Sequence, residues 1–129
     1  MKGLHQEGAE IFRWSADCLR ESTHGTEEER RRMLALVLAC QGQCSMSFSY
    51  QDAKALAQSS ISIMRQLPAT KETIYALHIW GAFVVDDSEK IRLTQEALDI
   101  AKANHYGWWI PKFTMDIAHY ALDQQDYQR

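Results

Sequence analysis

Residues 47–56, SFSYQDAKAL, decide how the rest of the chain is read. They fall between two stretches of helical apolar spacing, so they read as the tight turn of a helical hairpin. A second stretch, DQQDYQR at residues 123–129, looks like the same turn. It reads as a helix end, a turn at Asp123–Asp126, and the first step of another helix. Tyr50 and Tyr127 stand about two spans of roughly 40 residues apart, and the midpoint, Asp87-Ser88, is itself a turn. Another step back reaches GLHQEGAEIF at residues 3–12. One helical hairpin per repeat is the signature of a helical solenoid.

Working outward, every periodic segment follows helical spacing, and alternating β-branched stretches are missing. Six helices are expected. The first spans about Gln6–Glu21, with Ile11, Trp14, Cys18 and Leu19 on one apolar face, and His24-Gly25 ends it. Thr26 opens the second with a capping box to Glu29, and this helix continues to about Met46. Its start, Glu27-Glu28-Glu29-Arg30-Arg31-Arg32, sets Glu27 against Arg31 and Glu28 against Arg32. The third runs about Gln51–Gln66 and stops before Pro68. Thr70 caps a fourth that ends near Val84. Asp86-Asp87-Ser88 turns into a fifth, about Glu89–Ala103, with Asn104 and Gly107 as stop signals. Pro111 sits in the first turn of a sixth, where its missing amide proton is harmless, and that helix ends near Asp123.

These residues resemble the tetratricopeptide repeat family, in the longer, degenerate form found in large bacterial transcriptional regulators. Tyr50 followed by Ala53 fits the family's turn. Asp126-Tyr127 fits it too, with Ala118 as the small residue before it. Gly3 matches the turn glycine of an incomplete first unit, Gly8 the small packing position, and Ala97-Leu98 the close of a second helix. Asp86-Asp87-Ser88 stands where the family has a tyrosine. The resemblance implies an all-α chain of antiparallel hairpins stacked as an α-solenoid. Its units would cover approximately residues 1–25, 26–68, 69–107 and 108–129. Both ends would then be repeats cut short, and the chain a fragment of a longer protein.

The bulk properties narrow the function. At 129 residues the chain can bury a core without staples. A net charge of −3 leaves no basic footprint for nucleic acid or an anionic membrane. The longest apolar run, MLALVLAC at Met33–Cys40, is far shorter than the ~20 residues that span a bilayer. Three cysteines, an odd number, with no secretory leader point to reduced thiols and a cytoplasmic location.

The five histidines raise the question of metal. Glu21…His24 and Asp116…His119 have the carboxylate–imidazole spacing of di-metal helical bundles. Glu10, Glu72 and Glu96 could add carboxylates, but none sits in an apolar surround. Cys40 and Cys44, one helical turn apart, could join Cys18 or a histidine on a soft metal. Their neighbours Leu36, Leu38 and Ala39 favour small core residues instead. No glycine-flanked serine, phosphate-cradling loop or His-Glu-x-x-His occurs. The reading is therefore a non-enzyme without cofactor or metal. The alternative is a metal- or redox-responsive bundle built on the His, Cys and carboxylate residues.

Aromatic residues concentrate in the last third: Trp80, Tyr106, Trp108, Trp109, Phe113 and Tyr120. They serve an inter-helix core, a partner groove, or both. In tetratricopeptide arrays the first helix of each hairpin lines the concave surface. The resemblance then implies contacts from Glu72, Tyr75 and Ile79 of one unit, and from Trp108, Lys112, Met115 and His119 of the next. The implied partner is a protein, a peptide or a small-molecule effector on the concave face, without direct nucleic-acid or membrane contact. Self-association through the exposed terminal helices, near Tyr120 and Leu122, is also expected.

Overall fold

In a computed structural model, which describes residues 3–128, the chain is all-helical, with six helices and no strand among the described residues. It divides into two compact units, one reaching Pro68 and the other starting at Ala69. The first holds α1 (Leu4–Glu21), α2 (Glu27–Ser45) and α3 (Tyr50–Met64). The second holds α4 (Lys71–Gly81), α5 (Asp87–Ala103) and α6 (Trp109–Gln128). Within each unit the middle helix packs against both of its sequence neighbours, as short connections require.

The α1–α2 connection is built by local chemistry. Thr26 Oγ1 accepts from the Glu29 amide at 3.1 Å, and the Thr26 amide donates to Glu29 Oε2 at 3.0 Å. Two of the unpaired donors at the start of α2 are thereby satisfied. Gly25 adopts the left-handed conformation, φ +73°, and a Cβ there would lie 2.8 Å from Glu29 Oε2. Only glycine meets both demands. Glu28 pairs with Arg32 at 3.3 Å. Arg31 turns instead to Gln66, and Arg32 also donates to the Pro68 carbonyl at 2.8 Å, which ties α2 to the segment beyond α3.

Small residues set the helix spacing in this unit. A Cβ on Gly42 of α2 would stand 2.9 Å from the Ala53 carbonyl oxygen and 3.4 Å from the Ala57 amide nitrogen. The two backbones therefore touch. The approach lets Ser60 Oγ of α3 donate to the Ala35 carbonyl of α2 at 2.6 Å, which satisfies a fully buried hydroxyl. On the other side of α2, Gly8 of α1 faces Cys44, whose Sγ would lie 3.0 Å from an added Cβ.

The buried face of α1 differs from the expected one. Ala9 and Ala16 are buried and Phe12 and Leu19 pack beside them, whereas Ile11, Trp14 and Cys18 point outward. The helix carries apolar residues on two faces. The face with the small residues wins because it admits α2 at close range.

In the second unit, Asp86 caps α5 by accepting from the Ser88 amide at 3.3 Å, so the helix begins at Asp87. α5 ends in a Schellman motif: the His105 amide donates to the Lys102 carbonyl at 3.3 Å and the Tyr106 amide to the Ala101 carbonyl at 2.8 Å. The left-handed residue is His105, φ 59°, rather than Gly107.

The expected turn at Asp123–Asp126 is not formed. The backbone of α6 stays helical through Gln128, and Gln124 Nε2 donates to Ser88 Oγ of α5 at 2.7 Å. The stretch holds no glycine or proline, and glutamine is a good helix former, so nothing there stops the helix. The likeness between this stretch and the turn before Tyr50 is lost with it. Arg129 lies outside the described residues.

The Gly42 contact yields a stability prediction with opposing terms. Alanine gains about 1 kcal/mol over glycine in a helix interior. Overpacking against rigid backbone costs about 1–3 kcal/mol. Gly42→Ala should therefore destabilise the chain in urea unfolding. Gly81→Ala, with nothing within 4 Å of the new methyl, should be neutral or stabilising. Equal midpoints for the two variants would mean that the α2–α3 approach is not tight.

Candidate functional site

The expected contact residues of α6 come together on one face. Phe113 is buried and stacks on Trp109 at 5.3 Å between ring centroids, which pins that side of α6 inward. Residues turned away from Phe113 must then meet solvent. Trp108, Lys112, Met115 and His119 are all exposed, Trp108 by 85%. Lys112, Met115 and His119, three and four residues apart, share one row of α6, and Trp108 stands in the turn just before the helix.

The residues of α4 behave differently. Ile79 is only 3% exposed, so it is a core residue and not a contact. A shift of one residue turns a helical side chain by about 100°, and here that shift makes His78 the exposed neighbour. Tyr75 is half-buried. Glu72 accepts from Thr70 Oγ1 at 2.7 Å, which ties its carboxylate to the start of α4.

His78 is the residue that the sequence did not single out. Its ring lies 6.0 Å from Trp109, tilted by 53°. One edge of the ring reaches solvent, but the part packed near Trp109 is desolvated, which holds the pKa below the ordinary imidazole value; the Lys112 ammonium adds to this while Asp116 opposes it. Lys112 pairs with Asp116 at 3.0 Å, a spacing of one helical turn. Asp116 is thus a partner of lysine and not of His119. Farther along, Lys90 of α5 sits over the Tyr120 ring at 5.6 Å. Burial raises the Tyr120 pKa, with Asp116 and Asp87 adding to it and Lys112 opposing. The result is a polar row along α6 beside its exposed apolar face. The signal in the sequence was the i,i+4 pair Lys112–Asp116.

A groove of about 300 Å³ lies in the first unit. Glu10 and Arg13 of α1, Ser45 of α2, and Phe48, Ser49 and Asp52 at the α2–α3 turn line it. Phe48 is exposed there, and Ser49 Oγ donates to Asp52 Oδ2 at 2.6 Å. An aromatic residue inside a serine-flanked turn was the available clue.

Among the described residues no group of three or more His, Cys, Asp or Glu is placed to hold a metal. Cys18 is exposed, and Cys40 and Cys44 are half-buried. Burial first, and the neighbouring Cys44 second, push the Cys40 thiol up, away from the thiolate form that metals and oxidants need. No described helix is long and apolar enough to cross a membrane. Compared with protein families, with curated proteins and with solved structures, the chain gives no match.

The lowered His78 pKa has a signed consequence. Protonation is harder in the folded chain than in the unfolded one, so the unfolded state binds more protons as pH falls through the ordinary imidazole value of 6.5. Stability should therefore drop below that pH and be unaffected by this group above it. His78→Gln should flatten the fall in melting temperature between pH 7.5 and 5. An unchanged slope in the variant would assign the acid sensitivity elsewhere.

Proposed function

We propose that the chain is a non-catalytic binding scaffold, the tetratricopeptide-like sensor or interaction region of a larger bacterial regulatory protein in the cytoplasm. The observation that carries this reading is the outer row of α6, where Lys112, Met115 and His119 stand exposed, with the exposed Trp108 in the turn just before the helix. A large indole and a thioether are residue types enriched where proteins meet. Exposed apolar groups of this size, aligned on one helix, mark a contact surface more often than a solvated one. The partner that suits them is a protein or peptide segment with apolar side chains and an acidic flank, or a small effector with the same chemistry. Support for the tetratricopeptide likeness rests on the turn before Tyr50, on Ala53 against Gly42, and on Gly8 against Cys44. Net charge of −3 speaks against nucleic acid as the direct ligand. The raised Cys40 thiol weakens the metal- or redox-responsive alternative.

Selection from a displayed random peptide library against the immobilised chain tests the reading. Enriched peptides should bind with a Kd of about 100 µM or tighter. A Trp108→Ala, Met115→Ala double variant should weaken them at least about tenfold, as for interface anchors. Both positions are exposed, so the fold should survive the change. Failure to enrich any peptide, or equal binding by the variant, would refute it.

A further inference from the structure

The groove of the first unit, about 300 Å³, is lined by polar groups that the fold itself does not use. Three helical rows form it: Gln6, Glu10 and Arg13 on α1, Gln41 and Ser45 on α2, and Asp52 and Leu56 on α3. α1 and α3 pack on α2 and not on each other, so the groove runs between them with α2 as its floor.

Ser45 is the informative residue. It is only 5% exposed, and its hydroxyl makes no hydrogen bond among the described residues. The other buried polar side chains described, Ser60 and Thr73, are satisfied by the Ala35 carbonyl and the Thr70 amide. Ser15, Thr94 and Thr114 turn their hydroxyls back onto the carbonyl four residues before, the usual recourse of such groups in a helix. Ser45 does not. Among the described residues no fully enclosed side-chain oxygen lacks a partner, so the Ser45 oxygen keeps an opening. The groove it lines is that opening.

Charges are ordered along the groove. Gly8 faces Cys44, and Ala16 packs with Val37 and Leu38, so α1 runs antiparallel to α2. Glu10 therefore stands toward Ser45, and Arg13 toward Gln41. Gly42 meets Ala53 and Ala57, which sets Asp52 beside the end of α2 as well. One end of the groove thus has two carboxylates and the negative end of the α2 dipole, and the other has a guanidinium. Asp52 accepts from Ser49 Oγ, and Glu10 has a partner of its own. A carboxylate offers about four lone-pair sites, so each can accept more. No described residue pairs with the Arg13 guanidinium or with the Gln41 amide. Phe48, 46% exposed, and the half-buried Leu56 add apolar surface.

We infer that this groove binds a free α-amino acid with an apolar side chain. The ammonium meets Asp52, Glu10 and Ser45 Oγ, and the carboxylate takes donors from Arg13 and Gln41. The side chain rests on Phe48 and Leu56. Opposite charges on one carbon suit a groove whose own charge changes sign within one helical turn, roughly 5–6 Å. A plain acid would face two carboxylates, and a plain amine would leave Arg13 unpaired. The volume is at the small end for ligand sites, as a ligand of this size requires. The site lies wholly within the first unit and is independent of the reading of α6.

Titration calorimetry of the 129-residue chain with L-leucine and L-phenylalanine tests the inference. At least one should bind with a Kd of about 1 mM or tighter. Isocaproate and hydrocinnamate lack the amine, and isoamylamine and phenethylamine lack the carboxylate. Each should bind at least about tenfold more weakly than its parent amino acid. Arg13→Gln, at an exposed position, should cost about tenfold in affinity, and Ser45→Ala about fivefold. Ser45→Ala removes a hydroxyl that holds nothing in the fold, so its melting temperature without ligand should match or exceed that of the parent chain. No binding of either amino acid would overturn the inference. So would analogues that bind as tightly, or full affinity in either variant. Peptides selected on α6 should bind Arg13→Gln as they bind the parent chain, so the two readings stand or fall separately.

Discussion

Backbone contact between α2 and α3 at Gly42 is the constraint on which the first unit depends. Helices of ordinary diameter pack 8–10 Å apart, and the spacing is set by the side chains between them. With hydrogen at position 42 and methyl groups at Ala53 and Ala57, the two backbones come into direct contact. That closeness brings the Ser60 hydroxyl onto the Ala35 carbonyl and buries Met64 and Leu38. It also forces α1 to the other side of α2, where Gly8 repeats the device against Cys44. The large side chains of α1 have no place in such a narrow seam, and they are left on the outside.

The helices and their ends were legible in the sequence wherever a local signal decides them. Thr26, Glu29 and Gly25 act within one turn of each other, so their roles depend on no distant residue. Asp86 and Pro111 are similar cases. Misreadings came where a local signal is silent or doubled. α1 has two apolar faces, and hydropathy alone ranks Ile11 and Trp14 above Ala9 and Ala16. The ranking fails because burial follows the close approach of α2, a tertiary fact. At the C-terminal end, the likeness between DQQDYQR and an earlier turn rested on Asp and Tyr alone. Without glycine or proline that likeness has no power to break a helix.

The exposed side of α6 was legible for a related reason, whereas that of α4 was not. On α6 the register is locked by Phe113 and Trp109, both visible as aromatics, so Lys112, Met115 and His119 could be placed on its exposed side. On α4 no comparable anchor stands out. Ile74, Leu77 and Ile79 are all apolar, and the exposed edge could run through Tyr75 or His78 with equal justice. Only the position of Trp109 beside His78 decides it, and that pairing joins residues distant in the sequence.

The terminal helices carry the consequence for function. A helix that must pack on one neighbour needs one apolar face, and α1 and α6 each have two. Surface indoles and aliphatic groups weaken solubility and add nothing to the stability of an isolated unit. Leu4, Ile11 and Trp14 at one end and Trp108, Met115 and Leu122 at the other therefore have no role in the described packing. On the proposed reading they await a binding partner with apolar side chains to set against them.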